Sequence, residues 1–237
     1  LLVAGLNGVP VRRLDAATLE PRSAPFTFLT GFVVSPYAAV ASDVVAIVTS
    51  EVTGTGTHNQ YQIDDRLLLV DAESGEIQHD VDLGFDGGNA AMSPDGSLVA
   101  VAGGSGQVGL VDVADGVLVR PPAVGHDGAA VSVTYAPDGA LIASGGSDGR
   151  VALWDGRTGD LRGTVRVTSA GTRVFVGFAR DGHTVTIATQ DGRIHRLDVR
   201  PERWIVQACA IAGRNLTHGE WRDAFGTRPY RATCARR

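Results

Sequence analysis

The side chains best suited to chemistry in this chain are far apart. Cys209, Cys234 and His218 carry the softest ligands, the thiolate and imidazole donors that a zinc ion takes. Three such residues without a CxxC spacing do not complete a structural site, so no metal is expected. The two cysteines could instead pair, but a cytoplasmic chain keeps its thiols reduced, and buried, small apolar thiols are the expected state. Gly103-Gly104-Ser105-Gly106 has the composition of a phosphate cradle. Strand-like segments flank it on both sides and no helix follows, which makes it a hairpin turn. Every basic residue is arginine, so no phosphate-binding loop with its lysine exists here. Asn215-Leu216-Thr217 matches a glycosylation acceptor, yet the first residues lack a basic leader and a cleavage site, so helix capping is the better reading. His58, His79, His183 and His195 are scattered, and no Ser–His–Asp or Cys–His set recurs. The Asp-Gly pairs lack the alternating oxygen spacing of a calcium loop. Catalytic, metal and cofactor sites are all expected to be absent, and the chain reads as something other than an enzyme.

The elements that would position these residues are short strands. Thirty-one glycines against three Trp, four Tyr and seven Phe point to many tight turns rather than long helices. A 43% apolar and 20% charged composition is that of a globular chain. Its 237 residues are ample for a hydrophobic core. The most apolar stretch, residues 31–50, is broken by Pro36 and Asp43, so no membrane span is expected. A net charge of −5 argues against direct nucleic-acid binding.

The segments repeat. Met92-Ser93-Pro94-Asp95-Gly96 returns as Ala136-Pro137-Asp138-Gly139 and as Ala179-Arg180-Asp181-Gly182, each step 43 residues. An acidic residue closing an apolar strand recurs at Asp15, Asp71, Asp112, Asp155 and Asp198, with steps of 56, 41, 43 and 43. The long first step reads as an insertion, roughly residues 51–65. Within a unit, Val131, Val133 and Tyr135 alternate on one strand. Pro137-Asp138-Gly139 is a turn, residues 141–145 a second strand, Asp148-Gly149 a hairpin turn and residues 151–154 a third strand. These strands are apolar on both faces, so each small sheet must be covered on both sides.

Gly125-His126, Ser144-Gly145-Gly146-Ser147-Asp148-Gly149 and Leu153-Trp154-Asp155 together resemble the signature of the WD-repeat β-propeller. The resemblance implies an all-β fold, and a hydrogen-bonded network of His126, Ser144, Asp148 and Trp154 that pins the strands of one blade. Elsewhere Leu14, Val70, Val111 and Leu197 stand at the tryptophan position, so those blades should rely on apolar packing. Residues 1–200 carry the repeats. They suffice for four to five blades of what is usually a seven-bladed ring, and the chain begins in mid-unit, with residues 1–4 and 9–15 as strands around an Asn7-Gly8 turn. A C-terminal piece of a longer protein is therefore expected, with a closed five-bladed ring as the alternative.

After Asp198 the period stops. Residues 202–212 suit a helix with Ile205, Ala208, Cys209 and Ala212 on one face, ended by Gly213. Thr217 and Glu220 form a capping box for a second helix, with Leu216 and Trp221 as its staple and Gly226 and Pro229 beyond it. Residues 201–237 are thus a helical tail, expected to pack on the last blade. Residues 199–237 hold eight Arg and three acids, whereas the rest holds 13 Arg and 23 acids, so a basic tail could clip across an acidic propeller. The tail, with Trp204, Ala208-Cys209, residues 212–217, Glu220-Trp221, Pro229-Tyr230-Arg231 and Thr233-Cys234, is similar to the end of propellers in actinobacterial regulators that join a signal-transduction NTPase, often with a transcriptional activator, to WD repeats. The all-arginine, Ala-, Gly- and Val-rich composition agrees with such a GC-rich source.

Those readings imply a non-catalytic protein-binding or sensor module of a cytoplasmic bacterial regulator, its partner another protein or an attached regulatory domain. Candidate contact residues are Asp127, its counterparts Asp86 and Arg173 at the loops leading into each first strand, and His58 and Tyr61 in the insertion. The rival readings are a propeller hydrolase or oxidoreductase whose site lies in further blades, and a propeller attached to a Ser/Thr kinase.

Overall fold

The computed structural model describes residues 2–3, 12–13, 32–41, 43–53, 62–232 and 234. The chain divides into two compact units, Leu1–Arg196 and Leu197–Arg237.

The first unit is built of antiparallel meanders. Leu2–Val3 (β1) pairs with Arg12–Arg13 (β2) in a register that leaves Asn7-Gly8 midway in sequence between the partners. The next sheet runs in order through β3 (Phe32–Ala41), β4 (Val44–Thr53), β5 (Gln62–Asp71) and β6 (Ile77–Asp82). The third sheet has β7 (Gly87–Met92), β8 (Leu98–Gly103) and β9 (Gln107–Asp112). Its outer edge is split into β10 (Val117–Leu118) and β11 (Ala123–Val124), both paired with β9. Pro121 and Pro122 lie in the gap, and without N–H groups they cannot continue the ladder. Then come β12 (Ala130–Tyr135), β13 (Leu141–Gly146), β14 (Arg150–Asp155) and β15 (Leu161–Arg166), followed by β16 (Val174–Phe178), β17 (Thr184–Thr189) and β18 (Ile194–Asp198). The first strands β3, β7, β12 and β16 neighbour one another in chain order, which is the arrangement of successive propeller blades.

Alternation explains why the middle strands look continuously apolar. On β8, Val99 and Val101 enter the core shared with Val48, Leu67 and Leu69, while Ala100 and Ala102 enter the core shared with Tyr135, Ile142 and Trp154. On β4, Ala46 and Val48 face the first of these cores, and Val45 and Ile47 face another with Leu68 and Val70. Each fully buried aliphatic side chain contributes about 1.5–3 kcal/mol. The sheet of β16–β18 differs: Val185, Ile187 and Thr189 are buried, but Thr186 and Ala188 between them are exposed.

The repeating sequence landmarks acquire physical causes. Asp71, Asp112 and Asp155 end β5, β9 and β14, and each carboxylate accepts the backbone N–H groups two and three residues on, closing the following turn. In the Pro-Asp-Gly turns, Asp95 accepts Ser93 Oγ, Ser97 Oγ and Ser97 N, which together hold its carboxyl at about 2.

One expectation about strands needs correction. Val131 does not share a face with Val133 and Tyr135. It is the extra residue of a β-bulge between Ala130 and Ser132, which turns Ser132 inward. The insertion at 51–65 lengthens a hairpin: β4 and β5 pair as far as Thr53↔Gln62, with β-branched Val52 opposite Ile63. His58 and Tyr61 lie outside the described residues.

The second unit holds α1 (Pro201–Ala212) and α2 (His218–Phe225). Pro201 starts α1, and Gly213, at φ 68°, ends it by donating to the Cys209 carbonyl. Thr217 and Glu220 make a reciprocal capping box on α2. On the expected apolar face of α1, Ile205 is 46% exposed and Ala212 is exposed, while Cys209 is half-buried. Nor are the cysteines free thiols. Cys209 and Cys234 form a disulfide across Cα atoms 5.5 Å apart. The correction has a physical reason: α2 buries no residue. A unit this small, with Val199 the one buried apolar side chain among its described residues, gains from a cross-link. Closing its 25-residue separation is worth about 3–4 kcal/mol by chain entropy.

Candidate functional site

The polar centre of the first unit is a chain of four side chains from two strands, the hairpin turn between them and the loop before β12. Trp154 at the end of β14 is fully buried and donates its indole N–H to Ser144 Oγ on β13, 2.9 Å away. Ser144 Oγ lies 2.7 Å from His126 Nε2, and His126 Nδ1 lies 3.2 Å from Asp148 Oδ1. Ser144 has one hydrogen, so with the indole donating to it, it donates onward to Nε2. That leaves Nδ1–H to face the carboxylate. The donors and acceptors close only with a neutral imidazole carrying its proton on Nδ1. Asp148 takes two further bonds, from the Asp127 N–H at 3.0 Å and the Arg150 N–H at 3.1 Å. The relay therefore ends by fixing the backbone of the loop that leads into β12.

The charge states follow from burial. Desolvation is the largest influence on His126 and pushes its imidazole below the ordinary value, against the raising effect of Asp148. Burial alone would raise the Asp148 carboxyl, but the Asp127 N–H, His126 and the Arg150 N–H outweigh it and keep it below the usual range. Both depressed groups stabilise the fold when deprotonated. His126 contributes fully above about pH 6.5, its unfolded value, and loses that contribution as pH falls. We expect stability to decline as pH falls below about 6.5, with a slope below the limit of about 1.4 kcal/mol per pH unit that one whole proton would give. The variant His126→Gln should lack that limb in urea titrations between pH 5 and 7, and an unchanged slope would refute the assignment.

The candidate contact residues fall into different settings. Asp127 has a 75% exposed side chain that pairs with Arg150 at 3.1 Å. Arg173 is exposed. Asp86 and Arg173 are not counterparts of Asp127, however. Their carbonyls accept Gly104 N and Gln190 N, and in the intervening blade that place is held by Ala129, which accepts Ser147 N. Asp127 stands two residues earlier, where the bulged blade turns in. Asp86 is engaged: burial first, and then hydrogen bonding and repulsion with Asp65, raise its carboxyl. Asp65 is buried and also accepts Gly87 N at 2.9 Å. The Phe85 ring lies against Gly103 as the His126 ring lies against Gly146 one repeat later, so this junction combines an aromatic plug with an acid pair instead of depending on apolar packing alone.

A further set of residues escaped the sequence reading. Ser132 Oγ donates to the Val174 carbonyl at 3.2 Å and accepts Val176 N at 3.1 Å, tying β12 to β16. Asn89 Oδ1, one repeat earlier, accepts Val133 N at 3.3 Å and ties β7 to β12. Both lie on first strands and step to the neighbouring blade 44 residues on. A polar residue recurring at the repeat spacing within an apolar strand was the available signal. At the opposite end, the turns Ser93–Leu98 and Asp138-Gly139 with Gly156-Arg157 enclose a cleft of about 360 Å³.

Comparison with known proteins agrees with this geometry. Residues 120–155 match the family described as WD domain, G-beta repeat. No curated protein matches the chain. Among solved structures, Sqt1 of Chaetomium thermophilum bound to the N-terminus of the ribosomal protein L10 superposes with a TM-score of 0.63 at 21% identity, covering 81% of this chain and 55% of that one. Sqt1 of the same organism on its own gives 0.62 at 21% identity, covering 84% and 53%. The computationally designed Ika4 protein gives 0.55 at 16% identity, covering 76% and 94%. The chain thus contains a WD40 repeat within an all-β, propeller-like fold, and it spans about half the length of Sqt1.

Proposed function

We propose that this chain is a non-catalytic protein-binding module, the WD-repeat part of a larger cytoplasmic bacterial signalling or transcriptional regulator. The observation that carries the reading is the restraint of the Asp127 loop. Its backbone N–H is bonded to buried Asp148, its carboxylate is paired with Arg150, and yet the side chain stays open to solvent. A loop held in one conformation by a buried relay loses little entropy on binding, which favours recognition of an extended partner. The Sqt1 structure, which holds the N-terminus of ribosomal protein L10, supports the idea that a fold of this type receives a peptide segment. Arg173 offers opposite charge on the next blade, so a partner segment with both a cationic and an acidic group suits the pair.

Selection of displayed peptides against the folded chain tests the proposal. We expect enriched peptides whose binding falls about tenfold or more on Asp127→Arg or Arg173→Glu, the scale of one lost charge contact. Enrichment indifferent to both substitutions, or no enrichment at all, would remove the site.

A further inference from the structure

We infer that the Cys209–Cys234 bond is a redox latch: a small dithiol reductant opens it and thereby frees the segment Arg228–Cys234 from the helices of the second unit. The inference is independent of the binding proposal, which concerns the first unit.

Among its described residues the second unit buries a single apolar side chain, Val199. No residue of α2 is buried, and Ile205, Val206, Ile211, Leu216, Phe225 and Tyr230 are all exposed. The segment after α2 is retained by polar and aromatic contacts at the surface. Trp221 donates its indole N–H to the Arg228 carbonyl at 2.9 Å, and the Tyr230 hydroxyl donates to the Leu216 carbonyl at 3.0 Å. The Tyr230 ring stacks on His218 at 4.0 Å. Asn215 brackets Cys234, its Nδ2 donating to the Cys234 carbonyl at 3.0 Å and its Oδ1 accepting Cys234 N at 2.8 Å. Each of these competes with water, so the covalent bond to α1 is what makes the set cooperative.

Both cysteines are only half-buried, so a reductant can reach the sulfurs. The exchange balances without any other partner. A thiolate of the dithiol attacks one sulfur and displaces the other cysteine as a thiolate. The second thiol of the reductant then resolves the mixed disulfide. Two electrons and two protons pass to the protein, leaving two thiols, and the reductant becomes a disulfide. The Asn215 bracket remains to guide re-closure when the thiols are oxidised again.

The full chain, treated with dithiothreitol or left untreated, provides the test. Alkylation and mass spectrometry should find no free thiol before reduction and two after it. Trypsin should cleave after Arg231 about tenfold or more faster in the reduced chain, because local opening governs cleavage there. The double variant Cys209→Ser with Cys234→Ser should show the fast rate in either condition, with cleavage inside the first unit unchanged. Two alkylatable thiols in the untreated chain would overturn the inference. So would equal cleavage after Arg231 in the two redox states, or slow cleavage in the double variant.

Discussion

Replacing Trp154 with alanine should remove about 3–5 kcal/mol of the stability of the first unit, on the scale of other buried tryptophans. The indole is fully buried in the core with Ala100, Leu110, Tyr135 and Ile142. It also lies flat against the preceding loop, so tightly that a Cβ at Gly125 would come within 2.5 Å of Cζ2. Truncation opens a cavity and strips Ser144 of its indole donor, loosening the hold of the relay on Asp148 and the Asp127 loop. A domain of this size has roughly 5–15 kcal/mol in total, so the variant stands near the edge of folding. Trp154→Phe keeps most of the apolar volume and loses the N–H, and should cost about 1–3 kcal/mol. Urea unfolding followed by circular dichroism measures both. An alanine variant as stable as the parent would show that the relay and its indole do not anchor the blade.

A second large effect is expected at Gly149, with an internal control at Gly192. Gly149 has φ 77° and Gly192 φ 84°, and each closes the hairpin after the second strand of its blade. The Gly149 carbonyl accepts both Val167 N and Thr168 N from the loop leading to the next blade. A methyl placed on Gly149 would lie 2.5 Å from the Thr168 carbonyl oxygen and closer still to that of Ser169. At Gly192 nothing lies within 4 Å. Both alanine variants carry the cost of a left-handed residue, about 1 kcal/mol, but only Gly149→Ala must also displace backbone. We expect about 3 kcal/mol or more at Gly149 and about 1 kcal/mol at Gly192, read from denaturation midpoints. Equal losses at the two sites would mean that the inter-blade loop yields freely.

That contrast has the same origin as the one-sided burial of β17. Wherever a blade has a neighbour, the turn glycine, the inward polar residue of the first strand and both strand faces are occupied. Ser132 and Asn89 reach across to the next blade, and the strands β8 and β13 between covered faces are buried almost throughout. On β17, exposed Thr186 and Ala188 alternate with buried Val185 and Ile187.

Much of this organisation was legible in the residues. The 43-residue spacing of the Pro-Asp-Gly turns, the acid at each third-strand end and the period-two apolar pattern are local signals. Local backbone chemistry produces them: glycine at positive φ, Asx closure, alternation across a pleat. The four residues His126, Ser144, Asp148 and Trp154 were singled out by the resemblance of their segments to the WD-repeat signature. What linear order does not contain is contact between blades. The bulge at Val131 that points Ser132 at Val174 and the meeting of Asp86 with Asp65 both depend on how one segment lies against another. The cysteine pair was misjudged in the same way. A preference for reduced thiols is a statement about compartments, whereas the meeting of Cys209 with Cys234 follows from the segment after α2 turning back to Asn215 and Leu216. Strand character is set within a few residues by sterics and turn chemistry, while polar ties between distant segments exist only once packing has brought them within about 3 Å.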